Sequence, residues 1–464
     1  MISNNIITKT DSYKHSHYQV LPEGTKTVYS YLESRKGMYP YDLFFGMQAY
    51  LMKYLTKPFT KKDIDIAERR VNQHIPELKF NRKGWEHILN KHGGYLPLRI
   101  RAVQEGLKIP LRMPLVTVQN TDPAVPWLTG HIETTLLRGI WYPTTVATRS
   151  NWIRGILAEA LKKSSDTTSP MEKLNFMLHD FGMRGNTCEE SAGISGAAHL
   201  VNFMGTDTMD ALDWVETYYS EECAGYSIPA TEHSVMTIYG RRNEIEAYRT
   251  AIRKFAKKGA IFATVADSYD IFEVCRSIMP QLKDDIVASG ATMVLRPDSG
   301  DPMSVLPKML ELLEPIFGVT YNSKGYKVLN HIRLIWGDGI NQDSVKAIVE
   351  LLNQLGYSVD NIAFGCGGWM VQDLTRDTQG FAMKAAAALV DGTHIELCKD
   401  PVTDPGKRSK AGMVTTYQNG DGQYYSGLWI EGTDDALQDV YLDGELLNTT
   451  TMAAVRERAD MGAF

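Results

Sequence analysis

Around residue 233 the sequence places a histidine where it could accept a proton or a phosphoryl group. In the segment 225–240, Pro229 ends any preceding strand and Thr231 is a good N-cap for a short helix running to Gly240. His233 then falls in the first helical turn, where the partial positive charge disfavours a charged imidazole and favours a neighbouring anion. The alternative is a surface or packed histidine, because histidine is intermediate in its tendency to be buried.

Two glycine-rich turns follow late strands and are typical of a phosphate site. Gly337-Asp338-Gly339 precedes a helix predicted over 344–355, and the turn at 365–368 repeats this arrangement before a helix opening at Trp369. Glycines let backbone N–H groups approach a ligand closely, and Asp338 can accept hydrogen bonds from a sugar diol. One such turn is weak evidence, but two in tandem match the place where barrel enzymes hold phosphate.

Charged residues mark two further strand ends. Arg296 and Asp298 project to the same side if their strand continues, so that one could bind an acceptor and the other a hydroxyl. An internal salt bridge at the rim is the alternative. Asp267 and Asp270 are predicted at a neighbouring rim position, where carboxylates suit Mg²⁺ held largely through water and phosphates.

Three more residues are candidates with plain structural alternatives. Asp207 is either a ligand or the N-cap of a helix predicted over 209–219, and Arg184 is a candidate phosphate fork. Tyr13 lies on an N-terminal arm, where its ring could pack over a planar ligand or against the body of the protein.

The elements that must position these residues predict an α/β fold. Short apolar runs at 176–181, 261–265, 292–296, 332–336 and 361–364 each end in an acidic or glycine-rich turn. The spacing of the last four matches βαβ units, which predicts a parallel α/β barrel or a fragment of one. Residues 45–92 and 125–140 are predicted helical, 28–36, 98–103 and 115–118 are predicted strands, and a hairpin is predicted around 419–422. We expect an N-terminal arm and mixed α+β domain over 1–150, a barrel-like catalytic domain over 151–400, and a C-terminal segment, 401–464, that packs on the first domain.

Composition excludes several classes of protein. The 464 residues are 43% hydrophobic and 22% charged, as in ordinary globular proteins, and the net charge of −6 gives no reason to expect nucleic acid as a partner. No secretory signal and no membrane-length apolar run is found. The five cysteines form no C-x-x-C pair, which favours reduced thiols and a cytoplasmic location.

Taken together in order, the motifs resemble the nicotinamide phosphoribosyltransferase family. The matching segments are residues 11–14, 179–185, 205–207, 225–233, 267–270, 296–300, 337–339 and 407–410. The resemblance runs from about residue 8 to about residue 445. It implies homodimers with a barrel-like domain, in which the partner subunit completes each active site. The reaction implied makes nicotinamide mononucleotide and pyrophosphate from nicotinamide and phosphoribosyl pyrophosphate, with Mg²⁺.

The resemblance also implies roles for individual residues. Phe181 and the second subunit's Tyr13 would sandwich the nicotinamide ring, and Asp207 and Arg296 would bind its carboxamide. The ribose would be held by Asp298, Gly337, Asp338 and Gly368, and the phosphates by Arg184, Gly367, Arg35, Arg376, Lys384 and Lys399. His233 matches a histidine phosphorylated from ATP, which raises catalytic efficiency. The predicted catalytic group is His233, Asp298, Asp338 and Asp267, with Mg²⁺ near the two strand-end carboxylates Asp267 and Asp298.

Three departures from the family pattern carry expectations of their own. A shorter loop after Lys36 and a trimmed C-terminal tail suggest a bacterial or phage-type member. Cys366 stands where a serine is expected, and a thiol at a helix start is predicted to have a lowered pKa and to oxidise easily.

Alternative functions are a nicotinate phosphoribosyltransferase, a non-catalytic binding or signalling protein on the same scaffold, and another barrel enzyme acting on a sugar phosphate. Asp207 favours nicotinamide, because a carboxamide NH₂ can donate to a carboxylate whereas nicotinate would place two anions together.

Overall fold

The computed structural model describes residues 4–404 and 408–460, so Lys407 of the last matching motif lies outside the described residues. The strands, in chain order, are β1 (Thr25–Glu33), β2 (Tyr41–Leu43), β3 (Leu98–Ala102), β4 (Lys108–Pro110), β5 (Val116–Asn120), β6 (Leu178–Asp180), β7 (Gly205–Thr206), β8 (Ile261–Val265), β9 (Thr292–Arg296), β10 (Val319–Tyr321), β11 (Lys327–Leu329), β12 (Ile332–Trp336), β13 (Ile362–Cys366), β14 (Ala382–Val390), β15 (Thr393–Glu396), β16 (Val414–Gln418), β17 (Tyr424–Leu428), β18 (Gln438–Leu442) and β19 (Glu445–Leu446).

The α-helices are α1 (Met47–Tyr54), α2 (Lys61–His74), α3 (Arg82–His92), α4 (Leu128–His131), α5 (Glu133–Ser164), α6 (Pro170–Leu174), α7 (Glu189–Leu200), α8 (Met209–Tyr219), α9 (His233–Thr237), α10 (Glu244–Phe255), α11 (Ile271–Glu273), α12 (Met279–Ser289), α13 (Pro302–Phe317), α14 (Gln342–Gln354), α15 (Gly368–Val371) and α16 (Met452–Asp460). Single 3₁₀ turns or short 3₁₀ helices occur at Ile6–Thr8, Ser12–Gln19, Met183–Gly185, Arg241–Asn243, Val359–Asn361 and Arg376–Thr378, and a π-helical turn occurs at Val274–Ile278. Within the described ranges, no helix combines the length and the apolar character that crossing a bilayer requires.

The described residues form two compact units. The first contains residues 4–148, 215–221 and 374–460 without 405–407, and the second contains 149–214 and 222–373. A seven-stranded sheet in the order β15-β14-β1-β5-β3-β18-β19 organises the first unit. Its core lies between this sheet and α1 to α4, with Trp85 and Ile100 fully buried.

Six parallel strands organise the second unit, in the order β7-β6-β13-β12-β9-β8, and form a curled half-barrel. The extended segment 226–230 bridges the two outer strands, because Tyr226 pairs with Gly205 of β7 and Ala230 pairs with Ala263 of β8. The N–H of Ala263 donates to the Pro229 carbonyl at 2.9 Å. The predicted α/β class with a barrel-like parallel sheet is confirmed.

Helix boundaries were harder to predict than strands. The stretch predicted helical over 45–92 is three helices, because Thr60 and Asn81 cap new starts at α2 and α3 with their side chains. The helix predicted to end at residue 140 instead continues as α5 to Ser164, with Pro143 inside it. Proline usually interrupts a helix, so the continuation of α5 through Pro143 goes against the local signal.

Candidate active site

The carboxyl ends of the parallel strands in the second unit surround a cleft of about 1230 Å³. Because parallel strands end at the same edge of a sheet, residues that follow them are brought together although they are far apart in sequence. The predicted site residues that line the cleft are Phe181, Arg184, Asp207, His233, Arg296, Asp298, Gly337, Asp338, Gly367 and Gly368. Asp267 lies beside the cleft, in contact with His233.

An aromatic ring and a guanidinium face each other at the floor of this cleft. The Arg296 guanidinium carbon is 5.1 Å from the Phe181 ring centroid, within the range of a cation–π contact. Arg296 Nη2 and Nε donate to Asp298 Oδ1 at 2.6 and 3.1 Å. The salt bridge that the sequence left open as an alternative is therefore present. The side chains of Arg296 and Asp298 are about one-third exposed, at 30% and 27%.

Gly365 permits the position of the Phe181 ring. A Cβ at residue 365 would lie 2.0 Å from Phe181 Cε2, a distance that no side chain tolerates. The Phe181 N–H donates to the Cys366 carbonyl at 2.9 Å, which fixes the backbone beside the same strand. Sequence reasoning assigned Gly365 to a phosphate-binding turn and missed this packing role, because the contact joins residues 184 positions apart.

Asp207 lies at the junction of the cleft with a second cavity of about 530 Å³ inside the curled sheet. Phe181, Asp207 and Arg296 line both cavities. Asp207 Oδ1 accepts a hydrogen bond from Ser227 Oγ, while the N–H of Thr208 before α8 donates to Thr206 Oγ1 at 3.0 Å. The Asp207 carboxylate is thus held at the cavity junction by the segment that bridges the sheet edges.

His233, Asp267 and Ser299 form a hydrogen-bonded chain at the rim. His233 Nε2 is 3.0 Å from Asp267 Oδ1, and Ser299 Oγ donates to Asp267 Oδ2 at 2.5 Å. His233 is 45% exposed, whereas Asp267 is only 7% exposed. A buried carboxylate thus orients an accessible imidazole, and Ser299 holds the carboxylate. The role of Ser299 was missed from the sequence.

The predicted helix around His233 was wrong in its cap and length. The helix covers only His233–Thr237, and Glu232 occupies its N-cap position. Thr231 does not cap it, because Thr231 Oγ1 accepts instead from the N–H of Val265 at 3.1 Å and ties the segment to β8. His233 is nevertheless in the first helical turn, as predicted.

The glycine-rich turns are supported by aromatic residues. Trp336 Nε1 donates to the Asp338 carbonyl at 2.7 Å and so fixes the turn after β12. After β13, the buried guanidinium of Arg149 stacks 4.1 Å from the Trp369 ring centroid and donates to the Trp369 and Asp373 carbonyls. Arg149 was not predicted to act here, since it lies on α5, far away in sequence.

Asp270 caps a helix and is not among the described residues that line the cleft. Its Oδ1 accepts from the N–H groups of Phe272 and Glu273 at 2.9 and 3.0 Å, so it is the N-cap of α11. The start of α11 uses one oxygen of this carboxylate, and a part of Asp270 in holding Mg²⁺ stays a prediction.

The expectation for Cys366 was wrong. Burial raises the pKa of Cys366 to about 12, and its Sγ donates to the Ile340 carbonyl at 3.3 Å. By contrast, Cys188 is exposed at the cleft and occupies the N-cap of α7. Hydrogen bonds from the Ser191 backbone N–H, and from the Ser191 and Thr187 hydroxyls, lower the pKa of Cys188 despite partial desolvation.

We therefore predict that a brief pulse of iodoacetamide at pH 8 labels Cys188 more than about 100-fold faster than Cys366, because the thiolate is the reactive form. Peptide mass spectrometry measures both rates in one sample, with the exposed Cys223 and Cys398 as internal references. Cys366 should become reactive only in denaturant. Labelling of Cys366 in the native protein at the rate of Cys398 would contradict the prediction.

The remaining predicted phosphate and ring residues lie in the first unit. Arg35 follows β1, and within the described residues its buried Nε and Nη2 donate to no acceptor, although Nε lies 3.5 Å from Glu33 Oε1. The pKa of Lys384 is lowered, chiefly by burial. The negative charge of Glu133 opposes this shift, and the positive charges of Arg35, Lys399 and Lys14 add to it. Arg35, Lys384 and Lys399 thus belong to one cationic cluster. Arg376 is 54% exposed and pairs with Asp377 at 3.6 Å, and Tyr13 is 57% exposed.

Comparison with known proteins identifies the family. Residues 176–445 match the model of the nicotinate phosphoribosyltransferase family, and residues 5–100 match the N-terminal domain of nicotinamide phosphoribosyltransferase. The chain is 47% identical to the nicotinamide phosphoribosyltransferase of Xanthomonas campestris pv. campestris, over 98% of both chains. The chain belongs to the nicotinamide phosphoribosyltransferase family. It is also 34% identical to the family member from Acinetobacter baylyi, over 98% of this chain and 97% of that one.

Solved structures show the same fold at much lower identity. The nicotinate-nucleotide pyrophosphorylase of Pyrococcus furiosus superposes with a TM-score of 0.60 at 14% identity, covering 100% of this chain and 97% of that one. The human nicotinic acid phosphoribosyltransferase superposes with a TM-score of 0.56 at 15% identity, covering 97% and 93%. These structures show the fold alone, whereas the family models and the relatives at 47% and 34% identity confirm the family resemblance expected from the motifs. The cleft at the strand ends is the candidate active site of a nicotinamide phosphoribosyltransferase.

Proposed function

We propose that this chain catalyses the formation of nicotinamide mononucleotide and pyrophosphate from nicotinamide and phosphoribosyl pyrophosphate. The observation that carries the proposal is the grouping of Phe181, Arg296 and Asp207 where the two cavities meet. An aromatic face, a guanidinium and a carboxylate are the groups that a flat pyridine with a carboxamide requires. The family membership supports the same reaction.

Recognition of the base follows from the chemistry of these three residues. The Phe181 ring stacks on the pyridine, and Arg296 donates to the carboxamide oxygen. The Asp207 carboxylate accepts a hydrogen bond from the carboxamide NH₂. Nicotinate carries an anion at that position, and two carboxylates in a desolvated pocket repel each other. The site therefore selects nicotinamide.

The carboxylates beyond the base stabilise the transition state. The pyridine nitrogen attacks the anomeric carbon, the bond from that carbon to the pyrophosphate oxygen breaks, and the electron pair leaves with pyrophosphate. Positive charge develops on the ribose ring, where Asp298 and Asp338 line the cleft. Fixed negative groups at that position stabilise the charge without further reorganisation. No proton transfer is needed for the bond exchange itself.

The phosphate groups are assigned to the glycine-rich turns and to cations. Gly337, Gly367, Gly368 and Arg184 line the cleft, and we assign the backbone N–H groups of the three glycines as donors to phosphate oxygens. The family resemblance also assigns Arg35, Lys384 and Lys399 to phosphates, and the guanidinium nitrogens of Arg35 that donate to no described acceptor are suited to a phosphate oxygen. Arg376 is assigned to the same role.

The donor set of the cleft fits Mg²⁺. Asp298 and Asp338 supply the oxygen ligands that Mg²⁺ prefers, whereas both oxygens of Asp267 already accept hydrogen bonds from His233 and Ser299. Bound Mg²⁺ would supply charge neutralisation for the departing pyrophosphate. Asp298 and Asp338 are thus the residues that would hold it, together with water and substrate oxygens, and Asp267 orients His233.

His233 is assigned to coupling with ATP. A neutral imidazole that donates its Nε2–H to Asp267 keeps its lone pair on Nδ1, which is then nucleophilic. Attack of Nδ1 on the terminal phosphorus of ATP breaks the bond to ADP and leaves phosphohistidine. The negative charge of Asp267 stabilises the imidazole as positive charge develops on it.

Assembly and location complete the proposal. The exposed Tyr13 supports a homodimer in which a second copy supplies this ring to the nicotinamide, so that the active sites lie at the subunit interface.

The five cysteines all lie among the described residues and are free, which supports a reducing compartment, the cytoplasm.

Product formation from nicotinamide and phosphoribosyl pyrophosphate with Mg²⁺ tests the proposed reaction, with nicotinate as the parallel substrate. We expect nicotinamide mononucleotide, resolved by chromatography, and a kcat/KM at least about 100-fold higher for nicotinamide than for nicotinate. Faster turnover of nicotinate would favour the nicotinate enzyme instead, and no product from either base would favour a binding protein.

The hydrogen bonds that join His233, Asp267 and Ser299 lead to a separate prediction. His233→Ala is expected to keep basal transferase activity and to lose the stimulation by ATP, because it removes only the phosphoryl acceptor. Ser299→Ala should weaken ATP stimulation about 3- to 30-fold, since it removes one hydrogen bond that orients Asp267. Initial rates with and without ATP, and ³²P incorporation into protein, measure both effects.

A matched control for His233→Ala and Ser299→Ala is Ser304→Ala on α13, whose hydroxyl donates to the Asp301 carbonyl. This control should keep full ATP stimulation. Loss of all activity in His233→Ala would show instead that the imidazole takes part in the transfer itself.

A further inference from the structure

Away from the cleft, three side chains of the first unit converge on one carboxylate oxygen. His92 Nε2, His87 Nε2 and Lys91 Nζ lie 2.7, 2.8 and 3.0 Å from Asp122 Oδ2. The three residues near Asp122 all belong to the last turns of α3, whereas Asp122 lies in the loop after β5. The candidate active site uses none of them.

The carboxylate at the centre of this cluster is rigidly held. Asp122 is only 2% exposed, its Oδ1 accepts from the Ala124 N–H at 2.9 Å, and its carbonyl accepts from Asn120 Nδ2 at 2.9 Å. Burial alone would raise the pKa of Asp122, but hydrogen bonds from His92, the Ala124 N–H, His87 and Lys91 outweigh it and lower the pKa. Asp122 is thus held in place with Oδ2 within hydrogen-bond distance of both imidazoles.

Two imidazole nitrogens and a fixed carboxylate oxygen are a typical ligand set for a transition metal. The ligand atoms of His87, His92 and Asp122 all lie within 4.8 Å of one another. In a tetrahedral zinc site, ligands about 2.0–2.2 Å from the metal are separated by little more than 3 Å, so only a small outward shift is needed. The imidazoles are 35% and 19% exposed, which leaves solvent access for a fourth ligand.

We propose that His87, His92 and Asp122 form a binding site for a divalent transition cation of the Zn²⁺ class, with water as the fourth ligand. The cation takes the place between Asp122 Oδ2 and the two Nε2 atoms. Each neutral imidazole moves its proton from Nε2 to Nδ1 and binds the metal through the Nε2 lone pair, and a protonated imidazole releases one proton. The Lys91 ammonium leaves Oδ2 for solvent, which its 57% exposure allows.

The site connects the end of α3 to the loop after β5, so its occupation should stabilise the first unit. A ligand that binds only the folded state raises the melting temperature in proportion to the logarithm of its concentration. Nitrogen ligands favour Zn²⁺ and Co²⁺ over Mg²⁺, which distinguishes this site from the oxygen-lined cleft. The two sites can therefore be separated by the choice of cation.

The test is a titration of untagged, metal-free protein with Co²⁺ and with Zn²⁺, without phosphoribosyl pyrophosphate or nucleotide. We expect one Co²⁺ per chain with the visible absorption of a tetrahedral complex, displaced by Zn²⁺ and unaffected by a 100-fold excess of Mg²⁺. His92→Asn and Asp122→Asn should each weaken Zn²⁺ binding by at least about tenfold, which is the smallest loss seen even for outer-shell partners. Asparagine at residue 122 keeps the acceptor for the Ala124 N–H.

Two further variants separate a metal site from a hydrogen-bonded cluster. Lys91→Ala should tighten Zn²⁺ binding, because it removes a cation that competes for Oδ2. His74→Asn, at the exposed end of α2, should bind as the wild type does. Absence of Zn²⁺ binding to the wild type at 100 µM, or equal binding by His92→Asn and the wild type, would overturn the proposal.

Discussion

Asp298→Asn is expected to lower kcat about 10²–10³-fold, the usual effect of removing one electrostatic group that acts mainly in the transition state. The asparagine is nearly isosteric and keeps an oxygen for the Arg296 guanidinium, so the position of Arg296 should change little. What is lost is the negative charge beside the ribose ring when the bond to pyrophosphate breaks. The KM for nicotinamide should therefore change only a few-fold.

The rival explanation is that Asp298 serves only to hold Arg296. The two residues form a salt bridge at 2.6 Å, and on that view their substitution would disturb base binding rather than the chemical step. Asp298→Asn would then raise the KM for nicotinamide and leave kcat within a few-fold of the wild type. Steady-state kinetics thus decide between the two explanations.

Stability offers a second check on the same variant. The pair is about one-third exposed, and solvent-accessible ion pairs contribute only about 0–1 kcal/mol. The melting temperature should therefore stay close to that of the wild type. A matched control is Asp301→Asn in the following turn, which keeps the oxygen that accepts from the Met303 N–H. That variant should keep both kcat and stability.

The strands could be predicted from the sequence because their signals are local. β8, β9 and β12 begin and end at the predicted residues, since each is a short apolar run closed by an acidic or glycine-rich turn. Because parallel strands end at one edge of a sheet, the same pattern also predicts that the residues following those strands lie close together. Their roles in binding and catalysis stay predictions.

The errors arose where a distant residue decides the local structure. Thr231 can cap a helix, but the Val265 N–H occupies its hydroxyl. Cys366 stands at a helix start, where a thiol pKa is usually lowered, but its burial has the opposite and larger effect. The contributions of Ser299, Gly365 and Arg149 have no local signature at all, because each depends on a contact with a residue far away in sequence.

Substitution of Asp207 is expected to change which base the enzyme prefers. Asp207→Asn removes the charge that repels nicotinate and can donate to its carboxylate, so the ratio of kcat/KM for nicotinamide to that for nicotinate should fall about 10²–10³-fold. Like charges in a desolvated site cost several kcal/mol, which corresponds to this ratio. Asp207→Ser should shift the ratio in the same direction, with a lower activity for both bases because the cavity junction is less well filled.

The structure provides a control that separates this pairwise effect from the general field of the cleft. Asp210 lies on α8 and lines the same cleft, so Asp210→Asn removes an equal charge without removing the proposed partner of the carboxamide. If Asp207 discriminates by direct contact, Asp210→Asn leaves the preference unchanged. If both variants shift the ratio equally, the selectivity comes from the summed negative charge of the cleft.

Ser227→Ala is a second test of direct contact, because it removes the hydrogen bond that holds the Asp207 carboxylate without changing its charge. Direct contact requires a fixed carboxylate, so this variant should raise the KM for nicotinamide while nicotinate stays a poor substrate.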